Sequence, residues 1–267
     1  MTGTILEKIV ETKRREVAEA KRTRSPEAVR AAAANAPPPR DFYGAVTAGG
    51  RGIRLIGEIK KASPSAGLIR ADFDPAGLAR TYADAGAAAL SVLTDRTYFG
   101  AELCFVEQVK AAVPLPVLRK DFIVDEYQVL ETRAAGSDAI LLIVALLTPA
   151  QLQAWSRNAC ELGMTTLIEV HAPDEFQLIR ELIGPQQRTI LGINNRELGT
   201  QTIDLAATER IAAGLPRGTP FVSESGIRTR QDVVRMQTAG ASALLIGETF
   251  MRSPDVGAKV RELFEGV

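Results

Sequence analysis

Leu55-Ile56-Gly57-Glu58-Ile59-Lys60-Lys61-Ala62-Ser63-Pro64-Ser65-Ala66-Gly67 is the stretch on which the reading of this chain turns. Leu55 to Ile59 has the apolar character of a buried strand, and the residues after it make a polar loop of lysines, serines, a proline and a glycine. Side chains two apart on a strand share a face, so Glu58 and Lys60 are expected to point together into one space. Such a pair suits an anionic ligand or a proton-transfer role.

Working outward, further aliphatic or β-branched runs occur at Ala88 to Leu93, Pro116 to Leu118, Ala139 to Val144, Thr166 to Val170, Thr189 to Ile193, Phe221 to Ser223 and Ala243 to Ile246. Each is separated from the next by a helix-length amphipathic segment. Capping residues or N1 prolines mark the helix starts at Asp74-Pro75, Thr148-Pro149, Ala172-Pro173-Asp174, Thr229 and Ser253-Pro254-Asp255. Ala85-Gly86, Ala135-Gly136 and Ala239-Gly240 supply C-terminal stops. Eight repeated βα units predict an α/β protein of the (β/α)8, or TIM-barrel, class. Periodicity alone does not show closure, so a doubly wound open sheet is the alternative, although no GxGxxG opens a helix here.

Before the first strand, Thr4 to Arg24 carries Ile5, Leu6, Ile9, Val10 and Val17 at helical spacing, which predicts an amphipathic helix packed on the body of the protein. An Ala-rich segment then runs into Pro37-Pro38-Pro39, an extended linker, and a short segment around Phe42 to Val46 comes next. The expected organisation is a single barrel domain over residues 1–267, with 1–48 as an N-terminal helical extension.

Composition narrows the function. The chain has 267 residues, 46% hydrophobic, enough for one large core. Its 32 basic and 32 acidic residues balance, which removes the field that nucleic-acid or anionic-membrane binding requires and leaves a small molecule as the expected partner. Cys104 and Cys160 have neither CxxC spacing nor neighbouring histidines, so no metal site or disulfide framework is expected. No signal layout opens the chain, and Ala139 to Leu147 is too short to span a bilayer. A cytoplasmic protein is the expectation.

In a (β/α)8 barrel the chemistry lies at the C-terminal strand ends. There the sequence places Glu58 and Lys60, Thr94-Asp95 with Tyr98-Phe99-Gly100, Arg119-Lys120-Asp121-Phe122, Glu169 before Val170-His171, Asn194-Asn195-Arg196, Ser223-Glu224-Ser225-Gly226, and Gly247-Glu248. The fourth strand, Leu141 to Val144, stays apolar and would form a hydrophobic wall. Ser225-Gly226 and Gly247-Glu248 allow close backbone approach to a phosphate, with plain turn glycines as the other reading; the Glu248 side chain is expected to point away, leaving its amide. Lys120 among other cations is read as a proton donor or Schiff-base nucleophile of lowered proton affinity, or else as the ion-pair partner of Asp121. Glu169, an inward carboxylate on an apolar strand, is read as functional. His171, the sole histidine, is read as a cap for the next helix.

These motifs, Glu58-x-Lys60-x-x-Ser63-Pro64-Ser65, Lys120-Asp121-Phe122, Leu167 to His171, Gly192 to Arg196 and Ser223 to Ile227, closely resemble those of the indole-3-glycerol-phosphate synthase family, with Ser91 to Asp95 and Tyr98-Phe99-Gly100 adding to the match. The resemblance covers the whole chain. It implies a carbon–carbon lyase of tryptophan biosynthesis that closes the indole ring of 1-(2-carboxyphenylamino)-1-deoxyribulose 5-phosphate with loss of carbon dioxide and water, using neither cofactor nor metal. It also implies Lys120 as general acid with Glu169 as its acid/base partner, and Glu58 and Lys60 as supports that orient the substrate and hold its carboxylate. Asn194, Arg196 and Glu224 would contact the substrate. Phe99, Phe122 and Leu141 would line the anthranilate pocket, while Ser63, Ser225, Gly226, Gly247 and Glu248 would cradle the phosphate. Glu248 stands where a small hydroxyl residue is common in relatives. The expected form is monofunctional and monomeric, with weak association with other pathway enzymes left open. Another phosphosugar barrel, such as a Schiff-base aldolase using Lys120, is the alternative, and a non-catalytic phosphosugar-binding barrel is a more distant one.

Overall fold

A computed structural model of the chain describes residues 4–48, 52–197 and 199–267. Eight parallel strands run at Arg54–Ile59 (β1), Ala89–Leu93 (β2), Val117–Lys120 (β3), Ala139–Ile143 (β4), Thr165–Val170 (β5), Thr189–Asn194 (β6), Phe221–Glu224 (β7) and Ala243–Ile246 (β8). They form one closed barrel in which β1 pairs with both β2 and β8. Closure excludes the open-sheet alternative. Several strands reach one or two residues further than the apolar runs, to Lys120, Asn194 and Glu224, because the ladder continues into the polar strand ends.

The period of two sorts side chains into an inner and an outer layer. Ile56, Leu118, Leu141, Leu167, Ile190, Val222 and Leu245 fill the barrel interior, and Leu55, Leu90, Val92, Leu142, Ile168, Leu191 and Leu244 face the helices. All of these are buried, and each is worth roughly 1.5 to 3 kcal/mol relative to exposure. The inner rows continue upward as Glu58, Lys120, Glu169, Asn194 and Glu224. The site is therefore the top layer of the packed core, and its charged groups inherit rigid strand positions.

Before the barrel come Ile5–Thr23 (α1), Pro26–Asn35 (α2) and Phe42–Thr47 (α3). Thr4 and Glu7 form a capping box that starts α1 at the expected place. The first three residues of the expected extension lie outside the described residues. Phe42 and Val46 of α3 are fully buried against the inner cluster and plug the barrel at the end opposite the site.

The barrel helices are Pro75–Asp84, Cys104–Ala112, Tyr127–Ala134, Pro149–Glu161, Pro173–Ile179, Ala206–Ala212, Arg230–Thr238 and Val256–Phe264. Asp74, Thr148, Thr229 and Asp255 cap theirs through side-chain oxygens. Ala172 offers no side chain to the helix after it. Gly86, Gly136 and Gly240 adopt positive φ, as a left-handed helix stop requires. After β1 the chain forms a short hairpin, Ala62–Ser63 against Gly67–Leu68, in the stretch read as loop. Among the described residues, no helix is long and apolar enough to cross a membrane.

Candidate active site

The C-terminal mouth of the barrel encloses a cavity of about 610 Å3. Every catalytic, substrate and phosphate candidate of the sequence lines it. Lys120 ends β3 and sends Nζ to 3.2 Å from Oε2 of Glu169 on β5 and 3.6 Å from Oε2 of Glu224 on β7. Asn194 Nδ2 donates to Glu169 Oε1 at 3.0 Å. At the end of β1, Nζ of Lys60, the residue just past the strand, lies 2.7 Å from Glu58 Oε1, so the shared face expected from their spacing is realised. Phe99 and Phe122 meet with ring centroids 6.1 Å apart, and Leu141 of β4 lines the same cavity.

Burial alone would strip the proton from Lys120, but the Glu169, Glu224 and Glu58 carboxylates outweigh it and raise the proton affinity well above that of an ordinary lysine. The lowered affinity anticipated from neighbouring cations is thus reversed. Those cations face elsewhere: Asp121 pairs with Arg119 at 2.9 Å and with Lys13 at 3.0 Å, so the alternative of a Lys120–Asp121 ion pair is not realised. A permanently charged ammonium is a poor nucleophile, which counts against the Schiff-base alternative and leaves the acid role.

The two acids beside Lys120 are pushed apart. Burial disfavours ionisation of Glu169, yet Lys120, His171 and Asn194 overcome it and hold the carboxyl well below the usual range. Burial and then the Glu169 charge push Glu224 up to about 8, against the opposing pull of Lys120. One acid is a carboxylate and its neighbour carries a proton at neutral pH, an arrangement suited to dividing base and acid roles.

Glu224 has a consequence for stability. Its folded-state value lies above the ordinary carboxylate value, so the proton's contribution is complete below about 4.3 and disappears as pH rises through about 8. Glu224→Gln, which holds a neutral amide at all pH, is expected to melt at a temperature that rises relative to the parent between pH 5 and 8. A parallel dependence for the two proteins in thermal melts would contradict the assignment.

Sequence reasoning placed His171 as a helix cap. Instead its backbone N–H donates to Glu175 Oε2, and its imidazole sits with Nε2 3.2 Å from Glu169 Oε1 and Nδ1 3.6 Å from Glu175. Burial opposes its charge, but the two carboxylates prevail and raise it to about 10. The signal missed was parity: His171 is two residues beyond Glu169 and so shares its side of the chain.

Around the expected phosphate site, Ser225 and Gly226 both have positive φ, and a Cβ on Gly226 would come within 2.4 Å of Ile203. Gly247 has a second reason to be glycine, since a Cβ there would lie 2.2 Å from Glu58 Oε1. Ser63 Oγ accepts from the Ala66 N–H at 3.2 Å. The Glu248 side chain has cationic partners of its own. It pairs with Arg196 at 3.4 Å and with Arg252 at 3.0 Å, the latter one helical turn on, and the residue borders the cavity. Arg196 also reaches Ser65 Oγ at 3.3 Å, bridging the loops after β1, β6 and β8. The cavity roof includes Ile5, Leu6 and Ile9 of α1. Their helical stripe is plain in the sequence, but its destination is not.

Among the described residues no cluster of histidine, cysteine, aspartate or glutamate could hold a metal ion. The site offers an ammonium, ionised and protonated carboxyls, an aromatic wall and glycine turns, a set suited to proton transfer on a small phosphorylated aromatic compound.

Comparison with known proteins agrees. The chain is similar to solved barrels including an N-acetylmannosamine-6-phosphate 2-epimerase from Clostridium perfringens (TM-score 0.59, 13% identity, 80% of this chain and 92% of that one) and a mutant tryptophan synthase alpha-subunit from Pyrococcus furiosus (TM-score 0.58, 16% identity, 79% and 97%), likenesses that bear on the fold alone. It is 50% identical to the indole-3-glycerol phosphate synthase of Rhodospirillum rubrum over 97% of this chain and 98% of the relative. The enzyme of the same name from Dechloromonas aromatica is 48% identical over the same shares, and that of Neisseria gonorrhoeae is 49% identical over 97% and 99%. Residues 6–263 match the family model for indole-3-glycerol phosphate synthase, and the chain belongs to that family.

Proposed function

We propose that the protein is the carboxy-lyase that converts 1-(2-carboxyphenylamino)-1-deoxyribulose 5-phosphate into indole-3-glycerol phosphate, carbon dioxide and water. Family membership supports the reaction. The observation that carries it at the site is the Lys120 ammonium held between Glu169 and Glu224 at one side of the cavity, with glycine turns at the ends of β7 and β8.

In this reading the phosphate rests on Ser225, Gly226, Gly247 and the Glu248 amide with Ser63 nearby, and the aryl ring lies against Phe99, Phe122 and Leu141. Lys60, oriented by Glu58, holds the carboxylate. Lys120 gives a proton to the ketone oxygen as the carboxyl-bearing ring carbon forms its bond to the ketone carbon. Breaking the bond to the carboxylate returns an electron pair to the ring and releases carbon dioxide. The new hydroxyl then leaves as water with a proton from an acid, while a carboxylate takes the proton lost as the indole double bond forms. Glu169 is ionised and suited to the base role. Asn194, Arg196 and Glu224 contact the substrate hydroxyls and phosphate end. The electron pairs are redistributed within the substrate, so no step calls for an external oxidant or reductant.

The proposal extends to organisation: one domain over 1–267 with residues 1–48 as its extension, a cytoplasmic location, and a monomer. Contacts of α1 with loops of the barrel support the first of these. The decisive experiment monitors indole fluorescence after mixing the anilino-deoxyribulose phosphate with purified protein. Enzyme-dependent appearance of the indole chromophore of indole-3-glycerol phosphate with stoichiometric carbon dioxide is expected. Substrate left intact at micromolar enzyme would rule the reading out.

A further inference from the structure

Lys13 lies on α1, distant in sequence from every strand end, yet it is almost completely buried at 4% exposure. Its ammonium sits 2.8 Å from Asp95, 3.0 Å from Asp121 and 2.7 Å from Glu16. The two aspartates belong to different loops of the barrel mouth. Asp95 comes after β2 and caps the helical turn Arg96–Phe99 by accepting from the Tyr98 N–H at 2.7 Å, so it sets the turn that carries Phe99. Asp121 directly follows Lys120 and accepts from the Phe122 N–H at 2.8 Å, so it fixes the backbone that carries Phe122. A single cation on the N-terminal helix thus ties the loop bearing one ring of the aromatic wall to the loop bearing the other ring and Lys120. Further contacts join the same surfaces: Thr12 Oγ1 lies 3.2 Å from the Tyr98 hydroxyl, and Thr97 donates to Glu16 at 3.1 Å.

We infer that Lys13 is a positioning residue for the reaction, holding the β2 and β3 loops in the register that sets Lys120 and the Phe99–Phe122 wall against the substrate. Asp121 already has partners in Arg119 and in Thr94, whose hydroxyl donates to it at 2.6 Å, so Lys13 is not needed to satisfy that carboxylate. What Lys13 adds is the link between the two loops and the helix whose Ile5, Leu6 and Ile9 roof the cavity. The effect acts through geometry, since Lys13 is absent from the cavity lining. Displacement of a reacting group by about an ångström is enough to cost roughly 10²-fold in rate.

The inference rests on Lys120 being the proton donor, and the test separates the two. Lys13→Met keeps the apolar stem and a good helix former but leaves Asp95 buried without its counter-charge, which can prevent folding. The double variant Lys13→Met/Asp95→Asn removes both charges and retains a capping side chain at position 95. It is expected to melt close to the parent, with kcat reduced about tenfold or more and KM changed by less than about threefold. A folded double variant with parental kcat, or a loss confined to KM, overturns the positioning role. Failure of the double variant to fold overturns it too, because the junction would then determine folding. Lys120→Ala is assayed alongside. Parental turnover in that variant would remove the proton-donor reading whatever Lys13 does, whereas an inactive Lys120→Ala beside a fully active double variant would reject the Lys13 proposal alone.

Discussion

Lys120→Ala is expected to lower kcat by about 10² or more, the usual scale for losing a positioned acid, with a smaller change in KM. The size of the effect comes from what surrounds Nζ. The acids around it, Glu169 first among them, outweigh burial and keep it charged at neutral pH, so it holds a proton to give. Water entering the space left by alanine would be a far weaker acid and would not be held on the strand. The variant also removes the counter-charge of Glu169 and Glu224, so both carboxyls should bind protons more tightly. A kcat within threefold of the parent, measured by indole fluorescence at saturating substrate, would show that Lys120 is not the proton donor.

The second large effect is expected at Glu169. Glu169→Gln keeps the shape and an oxygen for Asn194, but it cannot accept a proton, and kcat is expected to fall by about 10² to 10³. The substitution reports on itself through His171. With the carboxylate gone, that imidazole loses the nearer of its two ion-pair partners, keeps Glu175, and should titrate well below its value of about 10 in the parent. As the chain has a single histidine, its proton resonance can be tracked without assignment. Unchanged turnover would remove Glu169 from the proton-transfer chemistry, and an unchanged His171 titration would show that Glu169 does not hold the imidazolium.

The architecture was legible because barrel strands obey two rules visible in sequence. Short apolar runs alternate with capped helices, and inward positions recur every second residue. The second rule alone carried Glu58, Lys120, Glu169, Asn194 and Glu224 into one cavity, since each continues an apolar row of the interior. Spacing fixes the face on which a side chain stands but not its partner across the barrel. For that reason a pairing of Lys120 with Asp121 stayed open as the alternative, the three acids around it could not be counted, and the direction of its shift was reversed. The partners of Glu248 were illegible for a related reason, because Arg196 and Arg252 come from a different strand end and from the next helical turn. Lys13 was invisible altogether. A lysine within an amphipathic helix looks like any solvated one until the helix is docked.

Closure of the sheet also governs how the protein can associate. Every strand of the barrel has its backbone N–H and C=O groups engaged on both sides, with β1 completing the ring between β2 and β8. No strand of it presents a row of free donors and acceptors on which a second polypeptide could be templated. Strand addition, a common route both to recognition of extended peptides and to amyloid-like growth, is thereby denied to the folded barrel. Contact with another copy or another protein has to be made by side chains of the surrounding helices and by the loops at either end.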